Sequence, residues 1–249
     1  MSPAKAVKVP AATLGFWIIK ILATTLGETG GDAVTMSMGL GYLAGTAIFA
    51  VVFVVAVAAQ ISVRTFRPFV YWSAIIASTT VGTTLADFAD RSLGIGYPGG
   101  SLLLALLLAG SLLAWRLATG TVDIGSVRTP RSEAFYWTTI MFSQTLGTAL
   151  GDWSADSLGL GFAGATLVFG ALLLAIAGTA LLTRVSRTLL FWSAFVLTRP
   201  LGAVVGDLLD KPLGEGGMAL SRYAASIVLL AAIAALVAVL PQRPARTTH

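Results

Sequence analysis

The sequence predicts an all-α, polytopic membrane protein of eight transmembrane helices, built from four parallel two-helix repeats. Three observations predict it. Only 11% of the 249 residues are charged while 56% are apolar, whereas a soluble domain carries about 25% charged residues. Uncharged stretches recur at lengths near the roughly 20 residues that a helix needs to cross a bilayer. A frame of aromatic–Trp, Gly and Asp returns four times without a gap.

Taken in order, the repeats span approximately 13–65, 68–120, 133–185 and 188–241 of a single membrane domain, 1–249. Tails 1–12 and 242–249 flank them. The first tail carries Lys5 and Lys8 and runs straight into an apolar segment. That segment reads as the first span rather than as a cleavable signal peptide. The second helix of each repeat is nearly free of charge: 40–63, 101–115, 161–183 and 223–240 hold no ionisable side chain except Tyr42 and Tyr223. The first helices are as long but carry charges within the stretch.

Charge distribution sets the expected topology. Lys5, Lys8, Arg64, Arg67, Arg116, Arg128, Arg131, Arg184, Arg187, Arg243 and Arg246 fall in the tails or in every second connection. Cationic residues mark the cytoplasmic side, so both termini are expected there. The net charge of +5 is thus a topology signal and not a nucleic-acid patch. The chain has no cysteine, and its single histidine is His249. Zinc thiolate sites, iron–sulfur clusters and histidine-ligated haem are excluded, as are Cys–His and Ser–His–Asp catalysis. No enzyme is expected.

The repeat frame is explicit. Phe16–Trp17, Tyr71–Trp72, Tyr136–Trp137 and Phe191–Trp192 are each followed by a glycine, Gly27, Gly82, Gly147 or Gly202, and then by an aspartate, Asp32, Asp87, Asp152 or Asp207. The third and fourth copies repeat the first and second at a constant shift, which also maps Asp90-Arg91 onto Asp210-Lys211. A two-helix unit doubled twice gives this pattern. An even number of spans starts every copy on the same side, so the repeats are parallel and the four aspartates share one depth. These frames, with the turns Gly39 to Tyr42, Gly94 to Tyr97 and Gly159 to Phe162, resemble a family of bacterial membrane proteins. Its members have four tandem repeats, each with two transmembrane segments and a characteristic tryptophan. The resemblance covers about Phe16 to Leu240 and implies the architecture, in a multi-pass protein of a bacterial inner membrane. The family's function is unknown, so nothing about activity is implied. The fourth copy departs, with Gly214-Glu215-Gly216 in its turn and Arg199-Pro200 in its helix.

On a helix, residues spaced three or four apart share a face. The first helices then present Thr25, Glu28 and Asp32; Thr80, Thr83, Asp87 and Asp90; Thr145, Thr148, Asp152 and Asp156; and Pro200, Ala203, Asp207 and Asp210. At 1.5 Å per residue each key aspartate lies roughly 22 Å beyond its Trp, which is expected to anchor at the inner interface. That places the acids in the outer third of the membrane. Beside this stripe, Gly27 and Gly31, Gly82 and Ala86, Gly147 and Gly151, and Gly202 and Gly206 form small-residue pairs that let helices approach closely.

Carboxylate and hydroxyl oxygens suit hard cations. Asp32, Asp87, Asp152 and Asp207, assisted by Glu28, Asp90, Asp156 and Asp210, are the candidate ligands, with Thr25, Thr80, Thr83, Thr145 and Thr148 beside them. Glu28 and Arg199 form a candidate intramembrane ion pair, while Lys20 is expected to snorkel to the cytoplasmic interface. The expected function is cation transport or permeation, with a divalent metal such as Mn²⁺ favoured and proton coupling open. The alternative is a non-transporting scaffold, or a sensor subunit that binds a cation or partner at its outer face. In that reading the acids cap helices or pair with Arg91, Lys211 or Arg199. The expected partners are the lipid bilayer and a small cation, with no cofactor beyond such an ion and no nucleic acid. The sequence leaves oligomeric state open.

Overall fold

The computed structural model describes residues 7–246, so Lys5 and His249 lie outside it. Among the described residues the regular structure is helical, in eight α-helices: α1 (Leu14–Asp32), α2 (Gly41–Ser62), α3 (Pro68–Asp87), α4 (Tyr97–Thr119), α5 (Pro130–Asp152), α6 (Gly161–Leu182), α7 (Arg187–Asp210) and α8 (Arg222–Val239). The starts follow from local chemistry. Thr13, Thr129, Ser186 and Ser221 each accept a hydrogen bond from a backbone N–H of the first turn, which satisfies a donor that the helix itself leaves open. Pro68 and Pro130 occupy the first helical position, where a missing N–H costs nothing.

Six of the helices are long and apolar enough to cross a membrane: α2, α3, α4, α6, α7 and α8. The turns that reverse the chain between paired helices use Gly39 and Gly41, Gly94 and Gly96, and Gly159 and Gly161. All six have φ between +62° and +76°, a conformation that any side chain strains. Three first helices do not end cleanly at their aspartate. A single π-turn follows each, at Ala33–Ser37, Phe88–Ser92 and Trp153–Ser157.

The four first helices α1, α3, α5 and α7 pack side by side into a closed ring. Each second helix leans outward on the first helix of the next repeat: α2 on α3, α4 on α5, α6 on α7, and α8 back onto α1. The ring helices are mostly buried, whereas few residues of α2, α4, α6 and α8 are. The end of the chain closes the circle, where Ala11 N–H donates to the Arg243 carbonyl and Ala245 N–H to that of Val9. Both described chain ends therefore lie at one end of the bundle, the terminal end; the aspartates lie at the other, the acidic end.

A cyclic rule explains the repeated glycine. A Cβ on Gly82 would stand 2.9 Å from Gln144 Cβ and 3.0 Å from the Gln144 carbonyl carbon. Gly27 meets Thr79 in the same way, Gly147 meets Arg199 and Pro200, and Gly202 meets Thr24. In every case the partner is the residue three before the glycine of the next repeat. One turn further along, Gly31 meets Thr83, Gly151 meets Ala203 and Gly206 meets Glu28. The aromatic–Trp pair obeys the same rule. Phe16 packs on Trp72 with ring centroids 5.4 Å apart, Tyr71 on Trp137 at 5.8 Å, Tyr136 on Trp192 at 6.2 Å and Phe191 on Trp17 at 5.6 Å.

This corrects one expectation. The tryptophans were expected to anchor at a lipid interface, yet Trp72, Trp137 and Trp192 are buried in an aromatic cluster between repeats. Trp17 is half-buried, and the three enclosed rings gain aromatic pair contacts with a neighbouring repeat.

The glycine contacts yield a stability prediction. Gly82→Ala forces backbone against backbone and should cost about 1–3 kcal/mol. Gly110→Ala, which has open space around it, should be neutral or stabilising by up to about 1 kcal/mol. Thermal unfolding of the purified protein in detergent checks both.

Candidate functional site: a polar axis ending in an acidic layer

Counting in steps of four along the ring helices gives successive layers of four side chains, one from each repeat. At the terminal end these are Phe16, Tyr71, Tyr136 and Phe191, followed by Lys20, Ile75, Ile140 and Phe195. Next come Thr24, Thr79, Gln144 and Arg199, and then Glu28, Thr83, Thr148 and Ala203. The last layer is Asp32, Asp87, Asp152 and Asp207. All twenty are buried. Bonds across the ring place these side chains at its centre: Lys20 Nζ of α1 donates to Gln144 Oε1 of α5 at 3.4 Å, and Arg199 of α7 reaches Thr83 of α3.

Arg199 is the hub. Its Nη2 lies 3.1 Å from Glu28 Oε2, donates to Thr148 Oγ1 at 2.5 Å and also to Thr83 Oγ1, while Nη1 donates to the Thr24 carbonyl at 3.4 Å. One guanidinium thus touches all three other ring helices. The Glu28–Arg199 pair foreseen in the sequence is present, and it is fully enclosed. Lys20 differs from its expectation. It is buried beside the axis, with Nζ 4.2 Å from the centre of the Phe195 ring. It stands in the row that faces the ring interior, and from there its stem has no path to the interface.

In the acidic layer each cation bridges two repeats. Arg91 Nε lies 3.0 Å from Asp87 Oδ1, and its Nη2 lies 3.4 Å from Asp152 Oδ2. Lys211 Nζ lies 2.7 Å from Asp32 Oδ2 and 3.1 Å from Asp207 Oδ1. Arg91 and Lys211 occupy the same place in their repeats, four residues after an aspartate. Each ties the acid of its own copy to that of the next, so the layer has twofold character. Arg222 adds looser contacts, 3.7 Å to Asp32 Oδ2 and 3.4 Å to Asp210 Oδ2. Burial works against the charge on Lys211, but Asp207 and Asp32 hold its ammonium above the usual lysine range.

Glu28, Asp32, Asp87, Asp207 and Asp210 converge, and Asp152 is joined to Asp87 through Arg91. One oxygen from each of Glu28, Asp32 and Asp87 lies within 4.8 Å of the other two, and the same holds for Asp32, Asp207 and Asp210. Asp90 and Asp156 do not join them. Asp90 Oδ1 abuts Gly100, and the exposed Asp156 accepts a hydrogen bond from Tyr97 at 3.2 Å. The π-turn that follows Asp87 and Asp152 carries these later acids off the axis.

Thr83 and Thr148 sit on the axis, but Thr25, Thr80 and Thr145 stand one residue off it. Each donates to the carbonyl four residues earlier, in Ile21, Ile76 and Met141. The facing row is Thr24, Thr79 and Gln144 instead, because close packing at the glycines favours a four-residue step throughout. Arg222 was also missed. Relative to Tyr223 it stands where the other copies have Gly41, Gly96 and Gly161 before Tyr42, Tyr97 and Phe162, and this substitution was the available signal.

Removing one member of the enclosed pair should be costly. Arg199→Met leaves Glu28 uncompensated and should destabilise the protein by about 3–5 kcal/mol. Arg199→Met combined with Glu28→Gln should lose clearly less than the sum of the two single changes. Unfolding midpoints of the four proteins in one detergent give the coupling.

A repeat family matches the chain four times, at residues 15–66, 70–121, 135–186 and 190–241. It is described as a Repeat of Unknown Function (DUF347). No curated protein and no solved structure matches. The chain belongs to this repeat family.

Proposed function

We propose that this four-repeat member of the DUF347 family is a membrane carrier for a small cation, with its binding site in the acidic layer. One observation carries the reading. The five convergent carboxylates and Asp152 face four cationic side chains, Arg91, Arg199, Lys211 and Arg222. The layer is short of two positive charges, and carboxylates this close repel one another unless something neutralises them. One divalent cation, or two protons, supplies the difference. Asp32 Oδ1 and Asp210 Oδ1, both buried, have no hydrogen-bond partner among the described residues. All candidate donors are carboxylate or hydroxyl oxygens, which favours Mn²⁺, Mg²⁺ or Ca²⁺ over softer metals.

The filled axis supports a carrier over a standing pore. Below the acids lie the Arg199 hub and two layers of mostly apolar and aromatic side chains, all buried. An ion leaving the acids towards the terminal end meets Arg199 first, so passage requires the Glu28–Arg199 pair to part. The same carboxylates accept protons when the metal leaves, which gives a route to proton coupling. In this reading all eight helices cross the membrane, since α1 and α5 are enclosed by helices apolar enough to do so. The basic connections at the terminal end put that end in the cytoplasm of a bacterial cell.

The Arg91 and Lys211 bridges favour a second reading. They staple neighbouring repeats at every key aspartate, as a rigid scaffold or sensor subunit needs.

Reconstituted liposomes with a trapped Mn²⁺-quenched dye separate the two. The carrier reading expects Mn²⁺ entry that falls at least tenfold in Asp32→Asn, while Asp156→Asn retains it. Folded protein that neither binds nor moves Mn²⁺, Mg²⁺, Ca²⁺, Na⁺ or H⁺ sinks the carrier and leaves the scaffold.

A further inference from the structure

The outer helices do not close the ring evenly. Besides their main contacts, α2 also touches α5 and α8 also touches α3, but α4 and α6 make no comparable approach to α7 and α1. The gap between α6, α7 and α1 is a groove of ≈ 820 Å³ in the terminal half of the bundle. Its walls are apolar, with Ile21, Leu173, Leu174, Ala177 and Leu201 among them, and Trp17 lies against it. From Arg187 to Leu201 it follows α7 for roughly 21 Å, longer than one bilayer leaflet's hydrocarbon of about 15 Å. The groove thus begins at one membrane surface and reaches the middle.

The mouth at that surface is charged. Arg187 opens α7 there, and Arg246 reaches the same place from the chain end that pairs with residues 9–11. Both arginines are exposed. Asp123 is the acid at this mouth, and its carboxylate accepts the Gly125 N–H at 2.6 Å in its own turn. A leaflet-length apolar slot with two guanidinium groups at the headgroup level matches a lipid that has an acyl chain and a phosphate.

We propose that this groove is a specific site for one anionic glycerophospholipid, its acyl chain between α6 and α1 and its phosphate held by Arg187 and Arg246. The lipid fills the space between α6 and α1, while α6 itself packs on α7.

Native mass spectrometry of the full-length protein, released from nanodiscs of phosphatidylcholine with one-fifth phosphatidylglycerol, tests this. The proposal expects one phosphatidylglycerol retained at least fivefold over its share. Enrichment should vanish in Arg187→Ala/Arg246→Ala and in Ala177→Trp, which fills the groove with both arginines intact. It should survive in Arg64→Ala/Arg67→Ala, which removes the same charge from another connection. Loss of enrichment in that control, or retention in Ala177→Trp, overturns the site, as does folded wild-type protein with no retained anionic lipid. Oleate offered in place of phosphatidylglycerol should not be enriched; equal enrichment would assign the groove to free fatty acids.

Discussion

Backbone contact at the four glycines is the constraint on which the remainder of the structure depends. Gly27, Gly82, Gly147 and Gly202 let each ring helix lie against the residue three before the glycine of the next. Without side chains in between, four helices meet closely enough for one arginine to span them all. Dispersion and short polar bonds hold such contacts in lipid, where no hydrophobic force drives helix against helix. The same geometry fixes the four-residue step of the axial rows. It therefore decides which threonines face the interior, and it puts Lys20 there too.

Close approach also sets the electrostatic problem. Once the helices are this near, every polar side chain in the facing rows leaves both water and lipid, and each must find a partner within the ring. The molecule answers in two ways. Mid-axis it makes one pair, Glu28 with Arg199, and surrounds it with hydroxyls and a carbonyl. In the acidic layer it brings cations from beyond the ring, using Arg91 and Lys211 just past the helix ends and Arg222 at the start of α8. The second answer leaves more carboxylates than cations in the acidic layer, the imbalance on which the proposed cation site rests.

How far the sequence reveals this depends on which physical signal a residue carries. The fourfold frame is legible because Trp, Gly and Asp recur at fixed spacing, and the family match over four segments rests on the same regularity. The positions of the glycines and of Glu28 and Arg199 are legible as breaks in an apolar background. Side-chain direction is harder. Thr24 and Thr25 are adjacent and chemically identical, and only the packing angle of the ring selects the first. Lys20 misleads because a lysine three residues from a tryptophan ordinarily reaches an interface, and nothing local reveals that its own row faces the ring interior. Asp90 and Asp156 mislead because helical periodicity is projected past Asp87 and Asp152, where a π-turn changes it.

The divergence of the copies follows from the same closeness. In a ring with exact fourfold symmetry every axial residue would meet three copies of itself. Four lysines or four arginines at one level could not be neutralised from within, and four phenylalanines at each level would leave no polar site. So the layers nearest the axis differ between repeats: Lys20 stands among Ile75, Ile140 and Phe195, and Arg199 among Thr24, Thr79 and Gln144. The acidic layer alone keeps one residue type in all four copies. It can do so because bases from outside the ring reach it, and these come from the second and fourth copies only, at Arg91, Lys211 and Arg222. Symmetry is therefore fourfold in the backbone and in the acids, twofold in the Arg91 and Lys211 bridges and absent in the middle of the axis. An ion bound among the acids would meet two unlike halves, joined by Arg91 on one side and Lys211 on the other. It would have a single exit across the axis, past the one arginine that has no repeat-related twin.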